Sequence, residues 1–234
     1  MSILIRKIQD FKTLIKANDI ENLTKSIIIC NTFEGFINIG TIPDFIEEIS
    51  FRKRINLKPG ILPKNLKILG LAFWDDNEMV VGVLPDSLEI LDLRDCYFNG
   101  PVIREGVLPN NLKKLYLSRF YDSLFVKNVL PPSLKKIRLG FSYNQPFESN
   151  ILPNTLEKLS LGFNFYQKLG CHNLPDSLRI IHVFIQHKGS NIAYHSILEY
   201  LRDTDFEEIE TYRGHDFTII KFIIKRNDVI EIEI

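Results

Sequence analysis

Apolar residues along the middle of the chain recur in one short pattern. After a Leu–Pro or Ile–Pro pair, apolar residues stand at the third, sixth and eighth positions, counting the proline as zero. In the stretch LPPSLKKIRL, these residues are Leu134, Ile137 and Leu139. The alternation of positions 6 and 8 is typical of a β-strand with one buried face. The seven copies carry Pro43, Pro63, Pro85, Pro109, Pro131, Pro153 and Pro175.

The spacing of these prolines defines the length of the repeat. Successive prolines are separated by 20, 22, 24, 22, 22 and 22 residues. A period of this length with one strand per copy is typical of a leucine-rich solenoid. We therefore predict a parallel sheet in which positions 6 and 8 point into the core, while positions 5, 7 and 9 point out of a concave face. The proline suits the entry to the strand, because its missing N–H is not needed there.

The second half of each repeat is predicted to return by turns and extended segments, because it has no helical period. Gly82, Asn128 and Asn150 occupy equivalent positions and tolerate left-handed backbone angles. A further apolar residue at position 16 is expected to fill the core. These residues are Met79, Phe125, Phe147 and Leu169, with Val102 one place later in the longest repeat.

The residues that follow each strand carry a family resemblance. Two stretches, LGFSYNQP from Leu139 to Pro146 and FNGP from Phe98 to Pro101, resemble the FNIP repeat, a leucine-rich-repeat relative of about 22 residues. The resemblance covers residues 42–183. It implies an intracellular protein-interaction module of a type seen mainly in social amoebae and in giant viruses of amoebae. Some members carry an F-box, and none is recognisable before these repeats.

The predicted fold class is α/β, a leucine-rich-repeat-like solenoid with a parallel β-sheet on the concave face, few helices and a cap at each end. Residues 1–41 are assigned to an N-terminal cap helix, over residues 1–20, and a degenerate repeat whose buried positions are Ile27 and Ile29. Residues 42–185 hold the seven repeats, which gives eight parallel strands in all. Residues 186–234 form a C-terminal α+β cap, with a helix at 192–203, strands at 208–213, 217–225 and 229–234, and a turn at 226–228.

Composition narrows the functional classes. The formal net charge is +0, so no global field attracts nucleic acid or an anionic membrane, although a local patch could. No apolar run is long enough for a membrane helix, and the N-terminus lacks the apolar core of a signal peptide. The 3 cysteines are scattered and odd in number, which favours a reducing, cytoplasmic location. Cys96 and Cys171 are expected to be buried rather than reactive.

Basic residues at one repeat position form the candidate partner-binding site. Lys114, Lys136 and Lys158 share position 5 of successive repeats, so their Cα atoms should stack about 5 Å apart. Like charges on neighbouring strands are mildly unfavourable. The row therefore indicates either an acidic or phosphate-bearing partner or, as the ordinary alternative, a solvated basic stripe. The full candidate set is Arg94, Lys114, Tyr116, Lys136, Arg138 and Lys158.

Apolar residues at outward positions form a second candidate surface. Ile68 and Ala72 at one end, and Ile180 and Phe184 at the other, would point out of the sheet in this register. Such a patch often marks a partner surface. The alternative is that the terminal caps fold over these residues, and we expect this burial for Ile180 and Phe184.

An enzymatic function is not indicated. The five histidines show no ligand pair on a helix, the carboxylate pairs Asp75–Asp76 and Asp203–Asp205 lack an accompanying base, and no nucleophile or phosphate-loop motif is present. We predict no catalytic residue, cofactor or metal. The predicted function is a protein-interaction scaffold that binds a partner, with an acidic segment, on the concave sheet. The alternatives are nucleic-acid or polyanion binding through the same stripe, and a structural or self-assembly role.

Overall fold

The structure, a computed structural model, describes residues 2–17, 25–73, 79–96, 102–170, 172–185, 191–202, 205–213 and 218–225. Eleven strands form one sheet in the order β1 to β9, then β11, then β10. The elements are β1 (Ser2–Lys7), α1 (Ile8–Ala17), β2 (Ser26–Glu34), β3 (Glu48–Phe51), β4 (Ile68–Leu71), β5 (Ile90–Asp92), β6 (Lys114–Tyr116), β7 (Lys136–Arg138), β8 (Lys158–Ser160), β9 (Ile180–Ile185), α2 (Ile192–Tyr200), β10 (Asp205–Arg213) and β11 (Thr218–Lys225).

The eight predicted repeat strands are β2 to β9, and each pairs in parallel with the next. The register follows the repeat, so that position 6 of one copy lies opposite position 6 of its neighbour. This alignment stacks the apolar side chains into one continuous core column. The protein is therefore a parallel leucine-rich-repeat-like solenoid, as the spacing predicts. The position 6 residues, each 0% exposed, are Ile27, Ile49, Leu69, Leu91, Leu115, Ile137, Leu159 and Ile181.

Each proline begins a tight turn rather than the strand itself. The N–H of Leu112 donates to the carbonyl of Pro109 at 3.0 Å, and the other copies repeat this bond. The strand begins five residues after the proline, as at Lys114, so the expected strand entry at the proline is corrected. The hydroxyl of Ser177 then donates to the Leu156 carbonyl one repeat earlier, at 2.7 Å. Successive copies are thus joined by turn hydrogen bonds as well as by the sheet.

The return segments are extended and contain no helix within the described residues of 42–185. The predicted apolar residues Met79, Phe125, Phe147 and Leu169 are buried. In the longest repeat the prediction is wrong, because Ile103 is buried while Val102 is 47% exposed. The two extra residues of that repeat move the inward-facing position from 16 to 18. The left-handed turns are confirmed, with φ of 84° at Gly82, 66° at Asn128 and 63° at Asn150.

The N-terminal segment differs from the expected helix over residues 1–20. β1 occupies Ser2–Lys7 and pairs in parallel with β2, and α1 begins only at Ile8. Ile3 and Ile5 lie opposite Ile27 and Ile29, which gives the β-branched side chains a strand partner. The open edge of the sheet therefore outweighs the helical spacing of this segment. The helix that remains buries Phe11 against Phe33.

The C-terminal segment extends the sheet instead of only covering it. β11 pairs antiparallel with β9, and β10 pairs antiparallel with β11. Together with β1, these strands extend the sheet from the eight predicted repeat strands to eleven strands among the described residues. The predicted helix is present as Ile192–Tyr200, and the two predicted strands are present as Asp205–Arg213 and Thr218–Lys225. The predicted turn at 226–228 and strand at 229–234 lie outside the described residues, and the division at residues 41 and 185 stays a prediction.

Helix α2 packs on the buried side of these added strands. Asn191 caps its first turn, since the Asn191 side-chain oxygen accepts a hydrogen bond from the Tyr194 N–H at 2.8 Å. The Tyr194 hydroxyl lies 3.0 Å from a carboxylate oxygen of Glu208 on β10, and Ile197 is buried. The opposite side of the sheet therefore stays available, and it carries positions 5 and 7 of every repeat.

Candidate partner-binding face

The sheet brings the three predicted lysines together. Lys114 on β6 lies opposite Lys136 on β7, and Lys136 lies opposite Lys158 on β8. Their position 6 neighbours are buried, so the lysines are on the solvent side of the sheet. Lys114 is exposed, and Lys136 and Lys158 are half-buried. We call Lys114, Lys136 and Lys158 the lysine row.

Tyr116 lies between two cations at the next outward position. The Arg94 guanidinium is 4.8 Å from the centre of the Tyr116 ring, and the Lys136 ammonium is 5.4 Å from it. Arg94 also forms a salt bridge with Asp92 at 2.6 Å, and hydrogen bonding to Asp92 raises the pKa of Arg94. Such contacts restrict the side chains before any partner arrives.

The carboxylates at position 4, one position before the lysine row in the repeat, are already engaged by other lysines. At position 4, Lys113 contacts Glu89 and Lys135 contacts Glu157, each at 2.8 Å. The hydrogen bond from Lys113 lowers the pKa of Glu89. Within the part of the chain that the structure describes, no salt bridge involves Lys114, Lys136 or Arg138. The positive charge of these three side chains is therefore not neutralised locally.

The added strand β11 contributes a cation that sequence reasoning missed. Lys221 lies opposite His182 on β9, and His182 lies opposite Ser160 on β8. Burial, and then the charges of Lys221, Lys136, Arg138 and Lys158, together lower the pKa of His182 to about 4. The alternation of Ile220, Phe222 and Ile224 predicts that Lys221 faces solvent, but it does not show which strand β11 joins.

The sequence pattern predicts that position 9 points outward, but in the three repeats that carry the lysine row it points inward. Ser118 is fully buried, and Gly140 and Gly162 are buried as well. A Cβ atom on Gly140 would lie 1.9 Å from the carbonyl oxygen of Ser118, and one on Gly162 would lie 1.9 Å from that of Gly140. The backbone turns inward here and touches the preceding repeat, so in these three repeats the outward face consists of positions 5 and 7, whereas Arg94, at position 9 of an earlier repeat, stays exposed.

The candidate apolar surface is half-buried. Ile68, Ala72, Ile180 and Phe184 are neither fully covered nor fully exposed. The expected burial of Ile180 and Phe184 beneath the C-terminal segment is corrected, because β11 lies beside β9 in the sheet. The segment flanks these side chains instead of folding over them.

A cleft of about 380 Å³ opens beyond the carboxyl ends of β6 to β8. It is lined by two members of the candidate set, Arg94 and Arg138, and by Phe184. Arg119, Phe141 and Phe163 line it as well, and sequence analysis had not selected these three. They occupy position 10, beyond the strand, where the period-2 pattern no longer indicates direction.

The cysteines and the metal-ligating side chains among the described residues do not form a site. Cys96 is buried, its thiol donates to the Leu71 carbonyl at 2.9 Å, and burial raises its pKa to about 12. Cys171 lies outside the described residues. No group of three or more His, Cys, Asp or Glu side chains among the described residues could hold a metal ion. Within the same residues, neither helix is long and apolar enough to cross a membrane.

The chain is similar to one family of repeat proteins and to a solved repeat structure. A family model described as FNIP Repeat matches residues 98–142 and 143–182. One similar solved structure is the crystal structure of CroV588, described as a novel circular LRR protein, with 29% sequence identity and a TM-score of 0.54. The match covers 69% of this chain and 28% of that protein, so the chain spans little more than a quarter of its length. The curated proteins include no significant match.

Proposed function

We propose that this protein, an FNIP-repeat solenoid of the leucine-rich-repeat kind, is a non-enzymatic scaffold that binds a partner protein on the lysine row and its neighbours. Repeat proteins of this kind typically serve protein interactions. The observation that carries the proposal is the ladder register of Lys114, Lys136 and Lys158. Lys114 and Lys136 have no salt-bridge partner among the described residues.

The chemistry of the face favours an acidic partner segment. Complementary charge steers association and fixes the orientation of the partner. Tyr116, held between Arg94 and Lys136, supplies an aromatic anchor of the kind that often dominates binding energy. The surrounding sheet is already ordered, so binding costs little conformational entropy.

Charge reversal tests this assignment. The double variant Lys136→Glu/Arg138→Glu inverts the centre of the face, and we expect affinity capture from the native cell, read by mass spectrometry, to lose the partner. The control Lys58→Glu/Lys127→Glu reverses two exposed lysines in turns away from the face and should retain it. Both double variants should melt at the same temperature as the wild type. Undiminished capture by Lys136→Glu/Arg138→Glu would refute the assignment of the binding site to this face.

Nucleic-acid or polyanion binding is the second candidate, and the size of the basic cluster favours it. Lys221 and Arg138 extend the lysine row to five cations on β6, β7, β8 and β11, with β9 between the last two of these strands. Binding of this type weakens steeply with salt, because counterions are released from the polyanion. Gel shifts with single- and double-stranded RNA and DNA test this function, and the absence of a shift at low salt would exclude nucleic-acid binding.

Self-assembly is the third candidate. Among the described residues β1 pairs only with β2, so one edge of the sheet has unpaired backbone groups that could accept another strand. The similar structure CroV588 is described as a circular LRR protein. Light scattering across a range of concentrations tests the idea, and a monomer at every concentration excludes it.

A further inference from the structure

The cleft beyond the ends of β6 to β8 combines cations with aromatic rings. Phe141 and Phe163 are stacked, with centroids 4.8 Å apart and an angle of 5° between the ring planes. The Arg119 guanidinium lies 4.9 Å from the centre of the Phe141 ring. All three residues occupy position 10 of successive repeats, so the stack runs along the solenoid. We call the site the arginine–phenylalanine cleft, lined by Arg94, Arg119, Arg138, Phe141, Phe163 and Phe184.

Stacking leaves the rims of the rings available to a ligand, not their faces. Arg119 and Phe163 occupy the two sides of Phe141 along the stack, and Phe141 is still 39% exposed. The exposed part is therefore its edge. The edge of an aromatic ring carries partial positive charge, whereas its face carries negative charge. An anionic group is thus favoured beside these rims.

The arginines of the cleft differ in what they can still bind. The donor fork of Arg94 is occupied, since its Nε and Nη2 both bond to Asp92, at 2.9 and 2.6 Å. Arg119 and Arg138 form no salt bridge with any described residue. A guanidinium stacked on a ring keeps its N–H groups in its own plane, and that fork matches a carboxylate. Two guanidinium groups therefore remain for a ligand.

We propose that the arginine–phenylalanine cleft binds a partner segment in which a carboxylate side chain stands next to an aromatic or large aliphatic one. The carboxylate pairs with Arg119 and Arg138, and the apolar side chain packs against Phe141, Phe163 and Phe184. This inference rests on the proposed function, since it names the recognition element of the partner that the lysine row attracts. The volume of about 380 Å³ suits one or two side chains rather than a folded surface.

The ring geometry favours this ligand over nucleic acid. Proteins that bind single strands stack bases on the faces of aromatic side chains. Here both sides of Phe141 and one side of Phe163 are already occupied. A base would have to separate the stack, whereas a carboxylate meets the rims without displacing it.

Fluorescence polarisation with labelled peptides tests the proposal on the intact 234-residue chain. The probe carries the core Asp-Phe-Asp, and the matched peptides carry Asn-Phe-Asn, which lacks charge, and Asp-Ser-Asp, which lacks the ring. We expect the wild type to bind Asp-Phe-Asp about tenfold more tightly than either control. Arg119→Gln and Phe141→Ala should remove most of that preference. Arg202→Gln, at an exposed arginine after α2, should leave it unchanged.

Three outcomes overturn the proposal. The first is equal affinity for the Asp-Phe-Asp and Asp-Ser-Asp peptides, and the second is unchanged binding by Arg119→Gln. The third is tight binding of a labelled oligothymidylate that Arg119→Gln abolishes, with no binding of any peptide. Capture of the cellular partner that depends on Lys136 and Arg138 but not on Arg119 would show that the proposed function stands while the cleft does not contribute.

Discussion

The Lys136 ammonium lies 5.4 Å from the centre of the Tyr116 ring on the neighbouring strand. The Arg94 guanidinium approaches the same ring at 4.8 Å. An aromatic ring with two cations beside it reduces the repulsion between them, because the π-electrons face the positive charges. This contact explains how closely spaced cations are tolerated on one surface, and it gives Tyr116 an ordering role in the proposed binding face.

Replacing Tyr116 separates the role of its ring from that of its hydroxyl. Tyr116→Leu keeps an apolar side chain but removes the π-system, so we expect the partner to bind about two- to fivefold more weakly. Tyr116→Phe keeps the ring and should bind like the wild type. The dissociation constant of the captured partner is the measurement. If Tyr116→Phe is as weak as Tyr116→Leu, the hydroxyl, not the ring, contacts the partner.

The close approach of successive repeats predicts a sharp requirement for glycine. In Gly140→Ala the new Cβ would lie 1.9 Å from the Ser118 carbonyl oxygen, so the backbone must shift. We expect a loss of about 2–4 kcal/mol in the free energy of unfolding by urea.

Gly70→Ala is the matched control for that substitution. Its Cβ would lie 3.4 Å from the Ser50 hydroxyl oxygen, an atom that can rotate away. The cost should stay below about 1 kcal/mol. Equal losses for the two variants would show that the close contact between repeats is not what requires glycine at position 140.

The depressed pKa of His182 predicts a pH dependence of stability. Burial and then the charges of Lys221, Lys136, Arg138 and Lys158 lower this pKa to about 4, whereas an unfolded histidine titrates near about 6.5. Between these values the unfolded state binds more protons, so stability falls as pH falls from about 6.5 to about 4. Above about 6.5 the contribution of His182 is complete.

Melting curves of the wild type and His182→Gln over this pH range measure the effect. The melting temperature should fall further on acidification for the wild type than for the variant. Carboxylates titrate in both proteins, but only the wild type has His182. Parallel curves for the two proteins would contradict the assignment.

The proline spacing was sufficient to predict the repeat core and the lysine row. Positions 5 and 6 lie within the strand, where side chains alternate and in-register pairing repeats each position on the next copy. This is why Leu115 and Ile137 are buried and Lys114 lies opposite Lys136. Both features follow from the alternation of side chains within a strand and from the nearly constant length of the repeat.

Features outside that periodicity were not predictable in the same way. The residues of β1 have helical spacing, and only the open edge of the sheet makes them a strand. Lys221 joins the basic face through long-range antiparallel pairing, which has no signature in the spacing. Position 10 lies after the strand, so the alternation of side chains no longer gives the direction of Arg119 and Phe141.

Lysine footprinting of the captured complex tests most directly whether the lysine row is the binding face. Acetylation rates at individual lysines, read by mass spectrometry, are compared with and without the bound partner. We predict that the partner slows modification of Lys114, Lys136 and Lys158 and leaves the exposed Lys58 and Lys127 unchanged. Protection of Lys58 and Lys127 without protection of the lysine row would contradict the account.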